Sequence, residues 1–394
     1  MTSSDFTNVV AALAGPPGTD GSAPGTPRRA TVLGAGPTGR ALAAWLLAEG
    51  TDEVTLFSVY SDELATLDSG TITLRGEGPV GTFRVGDGGI SVTSVLDSAV
   101  ADADVLFVTG PVFKLRTYGM VLAPHLGPDQ TLVVPGGRTF GGLEVDWWLN
   151  VGGHRSSSIL VELTGVPFDV REEGSTLHLE RRRPVRAGVR PAHRGPSVGW
   201  LTDIFGDVSV GPTILHASFA DASGLVEVPA LTLGGPALGV DVETMPPGAV
   251  PLMASTFRAL IAPAVFEMID RLASERRAVA AHYGVRDLPT TDEWVEEVAG
   301  GDAPADARGV PTSEAALAAV REGVLGSLVP LASAGRLAGQ PTPITDSLVA
   351  TVSATLGADL AAAGRTLEGI GFAGSDPDSV RRAVGVTGGD GRGR

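Results

Sequence analysis

The sequence predicts an α/β protein: an N-terminal doubly wound parallel sheet followed by a mostly α-helical C-terminal domain. Three observations carry that expectation. Short apolar runs alternate with helical stretches from Arg29 to Leu163, which is the signature of βαβ units and a parallel sheet. A glycine-rich turn joins the first apolar run to the first helix. In the second half the apolar residues recur with a period near 3.6, as on a helix face.

Composition narrows the function classes. The chain has 394 residues, which at roughly 100–200 residues per domain suggests two domains. Acidic residues outnumber basic ones, 45 to 29, for a formal charge of −16. A surface that neutralises nucleic-acid phosphates needs the opposite balance. Arg181-Arg182-Arg183 is the only basic stretch, so no nucleic-acid partner is expected. Cysteine is absent, which excludes disulfides, thiolate metal sites and cysteine nucleophiles. No apolar run reaches the roughly 18 residues of a membrane span. The N-terminus lacks the basic-then-apolar order of a signal peptide. A cytoplasmic protein with no membrane partner is expected. Lys114 is the single lysine.

Residues 1–28 read as a disordered segment, because Gly15 to Pro27 is almost wholly small residues and proline and cannot offset its ordering entropy. Residues 29–196 read as the nucleotide-binding domain, 197–386 as the helical domain and 387–394 as a flexible tail. Ala30–Leu33 is the first strand, Ala41–Ala48 the first helix and Glu53–Tyr60 the second strand. Ile72–Leu74, Thr82–Val85 and Ile90–Val92 read as short strands of a hairpin excursion. Val100–Ala103 ends a helix before the strand Asp104–Thr109. Met120–Leu126 and Val145–Val151 are helices, and Thr131–Val134 and Ser158–Leu163 are strands. The Arg-, Pro- and Gly-rich stretch Arg181–Pro196 reads as the crossing between domains. Thr256–Tyr283 follows as helix, started or kinked at Pro263, then Ser313–Leu328 and Ile344–Leu360.

The strongest motif is Gly34-Ala35-Gly36-Pro37-Thr38-Gly39, a G-x-G-x-x-G that follows a strand and opens a helix. Its first glycine permits a tight turn, its second lets the backbone approach a pyrophosphate, and its third lets helix pack on strand. This identifies a Rossmann dinucleotide fold. An acid at the end of the second strand would bind the ribose 2′-hydroxyl. Phe57-Ser58-Val59-Tyr60 stands there instead, and Asp62 comes too late. With no repelling charge a 2′-phosphate fits, so NADP is the expected cofactor and NAD the other candidate. Ser58 is a cofactor-contact candidate, and Arg40 is the only arginine nearby. Gly110-Pro111, after the strand Asp104–Thr109, should lie over the cofactor. Pro135-Gly136-Gly137-Arg138 offers a close backbone approach and a cation.

Several segments in order resemble the opine dehydrogenase family of the octopine and nopaline type. They are the glycine loop; Val133 to Arg138 with Gly141-Gly142-Leu143-Glu144; Val161 to Thr164 with Pro167-Phe168 and Arg171; and Val185 to Gly188. The second half adds Ile261 to Val265, Glu275-Arg276, Gly284, Gly326 to Leu331, Pro341-Thr342-Pro343, Gly364 to Glu368 and Gly371. The resemblance covers residues 29–375. It implies a Rossmann domain and a helical domain with substrates in the cleft between them. It also implies an NAD(P)H-dependent reductive condensation of a 2-oxo acid with the amine of an amino acid. The family includes enzymes that make opine metal chelators.

The chain departs from the family at its catalytic histidine, expected in an Asn-x-x-x-His-Pro pattern. Ser223 stands in the asparagine position and Glu227 in the histidine position. The acid that pairs with that histidine corresponds to the region of Arg321-Glu322. Glu227 is thus one catalytic candidate, since a carboxyl in an apolar setting can titrate near neutrality. His216, on what reads as a neighbouring strand, is a second, and Glu322 is the candidate acidic partner. An altered chemistry on the same frame is the third reading. Arg138 and Arg116 are candidates for a substrate carboxylate. Lys114 lies where ketopantoate reductases carry a functional lysine. No metal-ligand spacing appears. A carbonyl reductase that needs no amine, and a nucleotide-binding protein without turnover, are the alternative functions. The long apolar helices would suit a homodimer.

Overall fold

The computed structural model of the protein describes residues 26–86, 88–155, 158–180, 183–234, 256–301 and 307–385. The expected disorder of residues 1–25, the tail 387–394, and Arg181 and Arg182 lie outside the described residues.

β1 (Arg29–Leu33) and β6 (Val105–Val108) lie side by side inside an eight-stranded sheet. From β1 the chain builds outward through β2 (Glu53–Phe57) to β5 (Ser91–Thr93). It then crosses back to β6 and builds the other way through β7 (Thr131–Pro135) and β8 (Ile159–Leu163). These six strands are mutually parallel. Their runs are apolar because helices cover both faces: all four residues of β6 and all five of β8 are buried. The expected doubly wound sheet is therefore present.

Two expectations need correction. Residues 185–190 are no linker: β11 (Val185–Arg190) pairs antiparallel with β8, and β12 (Val208–Gly211) pairs with β11. The sheet therefore runs on past residue 196 to Gly211. β11 is hard to read because arginines and a glycine interrupt its buried positions Val185, Ala187, Gly188 and Val189. Of the hairpin excursion, β3 (Thr71–Gly76) and β4 (Gly81–Arg84) pair as expected, but the third strand, Ile90–Val92, belongs to the large sheet as β5. The β3–β4 pair is half of a separate four-stranded sheet completed by β9 (Asp169–Glu173) and β10 (Thr176–Glu180). That small sheet packs on the first helix, Pro37–Ala48, where Trp45 stacks on Phe168 at 4.9 Å and donates its indole N–H to the Ile204 carbonyl.

The remainder is helical. Helix Pro263–His282 begins at Pro263 and is not kinked by it, since proline's fixed φ suits the first turn. The segments holding His216 and Glu227 are helices too, Ile214–Ala220 and Ser223–Leu233, rather than the strands expected. A buried run of Val, Leu and Ala is ambiguous between strand and helix. Residues 313–338 form one continuous run: helix Ser313–Gly323, a wider π-type turn at Val324–Leu328, and helix Val329–Ala338. This run is long and apolar enough to cross a membrane, yet 61% of its apolar window is packed inside the protein.

Candidate active site

The reversal of building direction leaves a crevice at the carboxyl ends of β1 and β6, where ligands of open α/β sheets bind. Gly34 closes β1 and Thr109-Gly110 closes β6. The three glycines of the loop are glycines for different reasons. Gly34 has φ +113°, and a Cβ there would lie 2.8 Å from Thr109 Oγ1 and 2.9 Å from the Thr109 carbonyl oxygen. A Cβ on Gly39 would lie 1.9 Å from the Gly34 carbonyl oxygen. A Cβ on Gly36, by contrast, would meet no atom within 4 Å. No neighbouring atom requires glycine at 36, and the space beside its backbone is open. Helix Pro37–Ala48 starts immediately after it with no side chain capping its first-turn N–H groups. Open space and uncapped donors at a helix start fit a pyrophosphate.

The crevice opens into a cavity of about 850 Å³. Gly36, Thr38, Gly110, Pro111 and Lys114 line one part of it, and Arg138, Ser223, Arg308 and Glu322 another. Four charged groups from four separate segments converge there. Arg138 Nη1 lies 3.7 Å from Glu227 Oε2, and its Nη2 lies 3.8 Å from Glu322 Oε2. Arg308 Nη1 donates to Glu227 Oε1 at 2.8 Å, and its guanidinium lies over the Phe257 ring. Arg138 Nη1 is buried without a hydrogen-bond partner, a costly state for a charged donor.

The turn that presents Arg138 is strained and held from elsewhere. Arg138 (φ +60°) and Phe140 (φ +66°) both occupy the left-handed region, at a cost of about 1–3 kcal/mol each. Arg365, itself buried, donates from Nη1 to the carbonyls of Gly137 and Thr139 and from Nε to Glu144. The Thr139 N–H donates to the Gly326 carbonyl at 3.0 Å. Pro330 has no N–H with which to engage that carbonyl four residues back along the helix.

The sequence candidates sort clearly on this geometry. Glu322 lines the cavity, and burial pushes its carboxyl up while Arg138 opposes the rise. Glu227 is 7% exposed and stands behind the two arginines. Its setting is a pair of guanidiniums rather than the apolar one expected. His216 is not at the cavity: its Nδ1 meets Thr213 at the start of its own helix, and its Nε2 faces Asp287 at 3.6 Å. Its segment is a helix, not the strand expected. Burial lowers its affinity for a proton. Arg116 stacks over Trp148 instead. Lys114 lines the cavity, with Nζ 4.0 Å above the Tyr60 ring and 3.9 Å from Glu63 Oε1. The Ala35 N–H and the Ser58 hydroxyl both donate to Glu63 Oε2, at 2.9 and 2.6 Å.

Sequence reading misses Arg308 and Glu63. Arg308 stands in no recognisable motif. Glu63 lies six residues past β2, and only the short helix Ser61–Ala65 turns it back to the strand end. The Asp62-Glu63 pair in that helix's first turn is the available signal.

No family model matches the chain. It is 26% identical over 371 residues to an opine dehydrogenase of Arthrobacter sp. strain 1C, spanning 90% of this chain and 98% of that protein. The fold matches octopine dehydrogenase solved with NADH and pyruvate, with a TM-score of 0.68 at 15% identity over 93% of this chain and 100% of that one. It also matches yersinopine dehydrogenase with NADP+ bound, with a TM-score of 0.61 at 15% identity over 92% and 98%. The resemblance read from the sequence is borne out, as is the fold of a parallel-sheet half and a helical half.

Proposed function

We propose that this chain, similar to opine dehydrogenases in sequence and in fold, is itself an NAD(P)H-dependent dehydrogenase of the opine type. It would condense a 2-oxo acid with the amine of an amino acid and reduce the imine to a secondary amine dicarboxylate. The observation that carries the reading is that one cavity holds both the open glycine turn and the Arg138–Arg308–Glu322 cluster. A dinucleotide and an anionic substrate can thus meet there. The part through Gly211 would hold the cofactor; the part from Ile214 onward would supply Glu322 from a helix and Arg308 from the segment between two helices. The substrates are small molecules. A cytoplasmic location and a homodimer are part of the same proposal.

Arg138 and Arg308 are suited to the 2-oxo acid carboxylate, because planar guanidiniums bind carboxylates in a fixed geometry. Arg138 lines the cavity, and its Nη1 makes no hydrogen bond, only the ion pair with Glu227. Glu227 positions both arginines and does not itself face the substrate. Imine formation expels the carbonyl oxygen as water, so a carboxyl must protonate the departing hydroxyl. Glu322, raised by burial, holds its proton closer to neutral pH than an ordinary glutamate and can give it from its carboxyl oxygen. Bound NAD(P)H supplies the hydride that reduces the imine carbon. The cavity wall around Pro111 and Val166 keeps part of this space apolar, which favours loss of water over its return.

A second reading, reduction of a carbonyl without any amine, is favoured by Lys114 in the cavity lining. One experiment separates them. Oxidation of NADH and of NADPH is followed with pyruvate, 2-oxoglutarate or glyoxylate, each with and without an amino-acid mixture. Oxidation that needs both an oxo acid and an amine is expected. Equal oxidation with the oxo acid alone would establish the second reading. Cofactor binding without oxidation in any mixture would refute both.

A further inference from the structure

We infer that Glu63 selects the cofactor, and that it selects a nicotinamide dinucleotide whose adenosine ribose carries a free 2′-hydroxyl. The inference rests on the dinucleotide reading above and adds to it a residue and a direction of preference. It runs against the expectation from the strand end alone, where Ser58 and Val59 leave no charge. The acid comes instead from the helix that follows.

Three observations support it. Glu63 lines the same cavity as Gly34, Gly36 and Gly39. Its Oε2 accepts from the N–H of Ala35, the second residue of the glycine loop, and from the hydroxyl of Ser58, the first residue after β2. Ser58 Oγ in turn accepts from the Tyr60 N–H at 3.1 Å. The carboxylate is therefore pinned between the carboxyl ends of β1 and β2, where the ribose-binding acid of this fold acts. A ribose hydroxyl can donate to such a group. A 2′-phosphate would instead place its charge beside it, and like charges in contact cost several-fold in affinity or more.

The cations that could relieve that repulsion are committed. Arg40 is 5% exposed; its Nε donates to the Ala35 carbonyl and its Nη2 to Glu172 at 2.7 Å. Lys114 Nζ sits between the Tyr60 ring and Glu63 Oε1. The first turn of helix Ser61–Ala65 adds a second acid, Asp62, which is exposed.

The test is equilibrium binding of NADH and of NADPH to the full chain, measured by calorimetry in the absence of substrates. NADH is expected to bind about 30-fold more tightly or better. Glu63→Gln keeps an oxygen for Ala35 and Ser58 but removes the charge, and should bring the two affinities to within about threefold. Asp62→Asn, the neighbouring exposed acid, should leave the wild-type ratio unchanged. Equal affinities in the wild type, or tighter NADPH, would overturn the inference. So would an unchanged ratio in Glu63→Gln, the outcome for a purely structural carboxylate, or an equal effect of Asp62→Asn. Failure of both dinucleotides to bind the wild type would remove the dinucleotide reading itself, and the inference with it.

Discussion

Glu162 is the buried acid whose consequences can be worked through most fully. It lies in β8, 1% exposed, with Oε2 accepting from the Gly142 N–H and the Ser218 hydroxyl, both at 2.9 Å. Its other oxygen has no partner. Burial pushes the carboxyl from 4.5 up to about 8, with the two hydrogen bonds and Arg365 opposing. Between these values the folded protein keeps a proton that the unfolded chain has released, so stability falls as pH rises. The contribution is complete below 4.5 and is lost progressively until the pH passes about 8. From pH 5.5 to 8.0 the loss is about 3 kcal/mol, at about 1.4 kcal/mol for each tenfold change in proton concentration. Glu162→Gln keeps an acceptor for Gly142 and Ser218 and cannot ionise. Urea unfolding of both proteins at pH 5.5 and pH 8.0 should show the wild type losing about 3 kcal/mol relative to the variant. Parallel pH profiles would refute the assignment of a neutral carboxyl at this position.

Three further outcomes are expected. Gly36→Val should leave the melting temperature within a few degrees of wild type, because the space around that position is open; calorimetric titration should show dinucleotide binding lost. Glu322→Gln should lower kcat by about 100-fold or more with dinucleotide affinity unchanged, whereas His216→Gln should change neither. Arg138→Lys should raise the oxo acid KM by about tenfold or more while leaving dinucleotide affinity intact, since a lysine cannot reproduce the forked contact.

The parallel sheet is legible in the sequence because strands covered on both faces are apolar almost throughout, as Val105–Val108 is, and as Ile159–Leu163 is but for Glu162. The glycine loop is legible because backbone sterics fix Gly34 and Gly39. β11 is hidden by its arginines, which reach out of the sheet to partners such as Glu297 and Asp146. The helices bearing His216 and Glu227 resemble strands because full burial erases periodicity. Glu322 can be placed by resemblance. Arg308 cannot, since its role depends on Glu227, 81 residues earlier in the chain. Glu63 escapes because it reaches the end of β2 from the following helix, not from the strand itself.

Pro330 illustrates how far from the cavity its shape is decided. By withholding an N–H from Gly326, it suits that carbonyl to the Thr139 N–H, and Arg365 adds its own grip on the same turn. The backbone turn that carries Arg138 is thus held by two segments far along the chain. Chimeras that graft the sheet half of one relative onto the helical half of another would keep the glycine loop whole, since its contacts with Glu63 and Thr109, and through Arg40 with Glu172, lie within the sheet half. They would scramble the turn that carries Arg138 unless Gly326, Pro330 and Arg365 travelled with it.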